Sequence, residues 1–84
     1  MDEKNTEIYE VIKEHLTGRG IDAAVVTLEA DLTQNVGLDS LDVTELTLAL
    51  EERFNIEIPD EELEGLVTVK DAVDLVAAKV AVEA

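Results

Sequence analysis

The sequence predicts an all-α fold, a small bundle of three main helices plus one short helix with a long first loop. Two observations carry this. Apolar residues recur at spacings of three and four in three separate segments, each bounded by capping or glycine signals. Aromatic residues are confined to Tyr9 and Phe54, so the core must be aliphatic, which suits packed helices. The 84 residues fit one domain, 1–84, with a small core and modest stability.

The first helix is expected near residues 3–17, where Ile8, Val11, Ile12 and Leu16 share a face between Glu and Lys. Gly18-Arg19-Gly20 ends it, because glycine readily takes the backbone angles of a helix C-cap. From about Ile21 to Asp39 the apolar residues are scattered without a period, and connections this long are often functional or partly helical. Asp39 and Ser40 are both good N-cap residues for a helix running to about Arg53. Pro59-Asp60-Glu61-Glu62 starts a short helix whose acids match the positive end of its dipole, and Gly65 closes that turn. A last helix from about Val69 to Val80, with Thr68 as its cap, places Val69, Ala72, Val73, Val76 and Val80 on one face. The Val-rich stretches at 24–28 and 66–69 have strand propensity but are too short and too few to build a sheet.

Six basic against 21 acidic residues give a formal net charge of -15. Nucleic acid and anionic membrane surfaces repel such a chain, and the scarce aromatics give bases no stacking platform. Cations and proteins with basic patches are the expected partners, met rapidly through electrostatic steering. With 46% hydrophobic residues the chain is too apolar for a disordered acidic segment. No cysteine is present, so neither a disulfide nor a thiolate metal site staples the fold. The polar start, Met1-Asp2-Glu3-Lys4-Asn5-Thr6, is unlike a secretory signal. No stretch reaches the roughly 20 apolar residues that span a bilayer. A cytoplasmic monomer is expected.

The helix after Ser40 has one apolar face more than a bundle needs. At about 100° per residue, Val43, Leu46, Leu50 and Phe54 fall on one side, while Leu41 and Leu48 point roughly 180° away. Thr44 lies near the second pair, and Glu45 and Glu52 flank it. Ten acids and one base, Arg53, occur from Asp39 to Glu64. Outward leucines ringed by carboxylates form a contact surface for a partner bringing basic and apolar groups together.

Catalytic patterns are poorly supported. The single histidine, His15, reads as a partly exposed helix residue, and Gly37-Leu38-Asp39-Ser40-Leu41 lacks the spacing of the G-x-S-x-G elbow. No phosphate-binding G-x-x-x-x-G-K-[ST] loop is present. Asp31 to Asp42 carries oxygen ligands at alternate positions, yet Val36 and Asp42 stand where a calcium loop needs Gly and Glu. Clustered carboxylates then attract divalent ions as counter-ions, with no specific metal site. Ser40 remains open between two readings. One is a simple N-cap in an acidic helical module that binds divalent cations or proteins. The other is a covalent phosphodiester site, since free amides at a helix N-terminus favour phosphate and Gly37 permits a tight turn before it.

Gly37-Leu38-Asp39-Ser40-Leu41-Asp42, with Glu45-Leu46, closely resembles the phosphopantetheine-attachment motif of acyl carrier proteins. The similarity continues through Ala49-Leu50-Glu51-Glu52-Arg53-Phe54, Ile56-Glu57-Ile58-Pro59-Asp60-Glu61-Glu62 and Thr68-Val69 into the aliphatic last helix. It implies a non-enzymatic carrier in which a phosphopantetheinyl transferase moves 4′-phosphopantetheine from coenzyme A onto Ser40. The arm's thiol then holds acyl groups as thioesters for acyl transferases, ketoacyl synthases and other enzymes of fatty-acid or specialised lipid or polyketide synthesis. The resemblance assigns partner docking to Leu41, Thr44, Glu45, Leu48, Glu51, Glu52, Asp60 and Glu64. It assigns the acyl-chain wall to Val43, Leu46, Leu50, Phe54, Ile58, Leu66, Ala72 and Val73, an aliphatic lining in which an alkyl chain gains by leaving water. Leu38 and the lead-in Gln34-Asn35-Val36 depart from the family pattern. Leu38 is bulky and is expected beside the arm, where it would alter how partners or the acyl group approach. The acid before Ser40 and the net charge favour a free-standing acyl carrier over a peptidyl carrier.

Overall fold

Helix α1, Glu3–Gly18, forms the spine of the bundle. The computed structural model describes residues 3–83, with side chains as far as Val80; Met1 and Asp2 of the polar start lie outside the described residues. Ile8, Ile12 and Leu16 of α1 are completely buried, as their spacing requires. The helix ends in a Schellman arrangement. Gly20 takes φ +93°, its N–H donates to the Thr17 carbonyl at 3.0 Å, and the Ile21 N–H donates to the Leu16 carbonyl at 3.1 Å.

Helix α2, Ser40–Phe54, follows the long loop and ends at Asn55, whose left-handed φ of 54° and ψ of 53° suit asparagine better than most residues. The short α3, Asp60–Leu63, starts after Pro59, and α4, Val69–Glu83, closes the fold. Helix α4 has the cap its sequence predicts. The Thr68 hydroxyl accepts from the Asp71 N–H at 3.2 Å, and the Asp71 carboxylate accepts from the Thr68 N–H at 3.0 Å. The same carboxylate also accepts from the Val67 N–H at 3.1 Å. Helix α1 packs against both α2 and α4. The shared core holds Leu46 and Leu50 of α2 with Val69, Ala72, Val73 and Val76 of α4. Each fully buried leucine contributes about 1.5–3 kcal/mol relative to exposure.

The loop from 21 to 39 is a wall of the core. Val26, Ala30, Leu32, Val36 and Leu38 are all buried in it. One 3-10 turn, Ala23–Val25, interrupts it, so the Val-rich stretch there is not extended. The other stretch supplies a lone antiparallel bridge, Asp31 to Thr68. Around that bridge the Leu32 N–H donates to the Val67 carbonyl at 2.8 Å. The Val69 N–H donates to the Ala30 carbonyl at 3.0 Å and the Lys70 N–H to the Leu28 carbonyl at 2.9 Å. These bonds satisfy backbone that is packed against apolar side chains. Tyr9 of α1 adds a bond from its hydroxyl to the Val26 carbonyl.

Candidate functional site

The turn before α2 is built from within the loop. The Asp31 carboxylate accepts from the Thr33 N–H and hydroxyl, each at 2.8 Å, and from the Gln34 N–H at 2.9 Å. These bonds, the Gln34 N–H foremost, hold its carboxyl below the ordinary 3.8. The oxygen-rich stretch from Asp31 is thus committed to its own backbone. Among the described residues no group of three or more His, Cys, Asp or Glu side chains is placed to hold a metal ion. Gly37 then takes φ +88°, a conformation that a side chain would strain.

Leu38, two residues before Ser40, faces the core. Its side chain is 4% exposed and belongs to the core, and its N–H donates to the Leu32 carbonyl at 2.9 Å. The expected bulk beside the arm is therefore turned inward, because an apolar residue next to a hydrogen-bonded turn gains more by burial than by facing water.

Asp39, not Ser40, caps α2. Its φ of -94° and ψ of -177° are extended, and its carboxylate accepts from the Asp42 N–H at 2.8 Å. Asp42 reciprocates by accepting from the Asp39 N–H at 3.3 Å, which completes a capping box. Ser40 is thereby the first helical residue. Ser40 is exposed and its hydroxyl forms no hydrogen bond among the described residues, and its N–H, like that of Leu41, has no intrahelical partner. An accessible oxygen beside unpaired amides is a good seat for a phosphodiester. The reading of Ser40 as only a helix cap is corrected by this geometry.

The residues assigned to docking separate into two groups. Leu41 and Leu48 are 65% and 54% exposed, about 10 Å apart along α2. Glu52, Asp60 and Glu64 are exposed and have no ion pair among the described residues, while Thr44 donates its hydroxyl back to the Ser40 carbonyl at 2.9 Å. Glu51 is different, since its carboxylate accepts from the Ile58 N–H at 3.1 Å and ties the end of α2 to the next segment. Glu45 is also engaged. The Arg19 guanidinium, carried by the turn after α1, donates to both Glu45 and Asp42.

Leu46, Leu50, Ile58, Ala72 and Val73 are buried together, with Val43, Phe54 and Leu66 half-buried against them. Thr47, missing from the sequence reading, joins this face at 3% exposure and donates its hydroxyl to the Val43 carbonyl at 2.8 Å. Its position, four after Val43 and three before Leu50, was the available signal. Lys79 of α4 donates to Glu62 of α3 at 2.9 Å, a link across the bundle with no counterpart in the local sequence.

Comparison with known proteins agrees with this arrangement. The profile of the family described as "Phosphopantetheine attachment site" matches residues 10–76. The chain is 55% identical over 67 residues to an acyl carrier protein of Helicobacter acinonychis, covering 80% of this chain and 82% of the relative. An acyl carrier protein of Syntrophobacter fumaroxidans is 52% identical over 58 residues, covering 69% of this chain and 72% of the relative. The crystal structure of an acyl carrier protein from Thermotoga maritima superposes with a TM-score of 0.87 at 27% identity, covering 100% of this chain and 99% of that one. With its helical bundle, its capped turn and a relative at that identity over most of its length, the chain belongs to the acyl carrier proteins, which carry acyl groups on phosphopantetheine and are not enzymes.

Proposed function

We propose that Ser40 is the residue of this carrier to which the phosphopantetheine arm is joined, and that Leu41, Leu48 and the surrounding acids receive the partner enzymes. The observation that carries the assignment is the division of labour at the start of α2. Asp39 takes the capping role, which leaves the Ser40 hydroxyl exposed and without a partner among the described residues. The unpaired amides of the first turn then favour the phosphate of the arm.

Docking rests on charge and shape together. Two leucines of α2 are more than half exposed, with Glu52 one turn beyond Leu48 and further exposed acids, Asp60 and Glu64, in the segment that follows, and a partner surface with basic residues around an apolar dip would cover both features. The partners inferred are a phosphopantetheinyl transferase, then acyl transferases and ketoacyl synthases of fatty-acid synthesis or a specialised lipid or polyketide pathway. The buried set of Leu46, Leu50, Ile58, Ala72 and Val73, edged by Val43, Phe54 and Leu66, is the proposed wall for an acyl chain. A cytoplasmic monomer fits a carrier that shuttles between enzymes, and no helix among the described residues is long and apolar enough to cross a membrane.

Intact mass after incubation with coenzyme A and a phosphopantetheinyl transferase tests the attachment. One arm on the parent protein and none on Ser40→Ala is the expected result. An arm on the Ser40→Ala variant would place the attachment elsewhere. Leu48→Glu, in turn, should slow loading while leaving the fold intact, and unchanged kinetics would remove Leu48 from the docking surface.

A further inference from the structure

We propose that Arg19 is an internal latch on the docking helix, occupying acids that a partner's basic side chains must reach. The proposal rests on the docking reading above. Arg19 stands in the turn Gly18-Arg19-Gly20, outside the acid-rich segment, and its guanidinium crosses to the first two turns of α2. One nitrogen donates to Asp42 and the other to Glu45, so a single guanidinium engages two acids in the first two turns of α2, which begins at Ser40. Asp42 has its second oxygen in the capping box, and it therefore has little left to offer a partner while Arg19 is in place.

The latch is placed to open. The Arg19 and Glu45 side chains are 36% and 42% exposed, so both ends of this pair face water and exchange partners readily. A partner's arginine presents the same guanidinium as Arg19, and a lysine the same charge, so either competes with it for Glu45. Partners that bring a strong positive field displace Arg19, whereas weakly basic proteins do not. Arg19 thus acts as a filter at the start of α2, while Glu52, Asp60 and Glu64, without an ion pair among the described residues, set the long-range attraction.

The test is kcat/KM for loading by a phosphopantetheinyl transferase with coenzyme A, from about 0.02 to 0.3 M salt. Arg19→Gln should load about three- to tenfold faster at low salt, and the difference should fade as salt screens the exposed charges. In a Glu45→Gln background the same substitution should lose most of its effect. Lys70→Gln is the control, because it changes net charge equally and frees Asp74 on α4, at a side chain 62% exposed. Equal acceleration by Lys70→Gln would assign the effect to overall charge and overturn the latch. Slower or unchanged loading of Arg19→Gln, with Glu45→Gln impaired, would overturn it while leaving the docking surface standing. If Glu45→Gln and Leu48→Glu both load normally, the docking reading fails and the latch fails with it. Thermal melts of each variant establish that all are folded.

Discussion

Asp39→Ala and Ser40→Ala should separate folding from loading at adjacent positions. Asp39 supplies the side-chain half of the capping box, accepting from the Asp42 N–H at 2.8 Å. Truncating it leaves that amide without its acceptor and costs about 1 kcal/mol, within a usual range of roughly 0.5–2. The unfolding entropy of a domain is about 2.1 cal/mol/K per residue, or roughly 0.18 kcal/mol/K for 84 residues. The expected fall in Tm is therefore about 6 °C. Ser40 has no hydrogen bond from its hydroxyl to lose among the described residues, and alanine is the better helix former by a few tenths of a kcal/mol. Ser40→Ala should hold Tm within about 2 °C of the parent, with any change upward. Circular dichroism melts give both shifts, and intact mass after transferase treatment gives loading. Ser40→Ala should be stable and unloaded, Asp39→Ala less stable but still loaded in part. A drop for Ser40→Ala as large as that for Asp39→Ala would mean that the hydroxyl caps the helix, and the reasoning about a free attachment oxygen would fall.

Leu50→Ala removes a side chain that is 2% exposed in the proposed acyl wall and should cost about 2–5 kcal/mol, read from urea melts. A cost below 1 kcal/mol would mean that the site collapses freely. Asp71→Ala has a pH signature. Its carboxyl is held below the ordinary 3.8, chiefly by the Thr68 N–H, so its contribution is complete above that value and is lost as pH falls through the lower folded value. The stability gap between parent and variant, about 1 kcal/mol at pH 7, should narrow once the pH drops below 3.8, and a gap independent of pH would contradict this. With a net charge of -15, the melting temperature of the parent should rise on adding salt or millimolar divalent ions, and a flat response would show that acid repulsion is unimportant.

Helices with strong periods were legible from the sequence to within a few residues. Ile8, Ile12 and Leu16, or Val69, Ala72, Val73 and Val76, repeat at the helical spacing and are buried together. The loop was not legible in the same way. Val26, Ala30, Leu32, Val36 and Leu38 reach the core through separate turns, each with its own geometry, so their spacing carries no period. The cap of α2 was ambiguous because Asp39 and Ser40 are both suited to it, and only the extended backbone at Asp39 decides between them. Within the candidate site, the exposure of Leu41 and Leu48 followed from helix geometry alone. The reach of Arg19 to Asp42 and Glu45 spans more than twenty residues and depends on where α1 ends against α2, which no local pattern encodes.

The loop also shows where this chain can grow. Residues 28 to 32 are fastened to 67–70 by backbone bonds and carry buried side chains, so lengthening them would pull apart two connections at once. Residues 22 to 25 differ. They are exposed, and apart from the local turn in which Asp22 accepts from the Ala24 N–H at 2.9 Å they make few commitments to the rest of the fold. An inserted tag, a fused domain or a pair of new chain ends belongs there, next to Ala23 and Ala24, where extra residues meet only solvent.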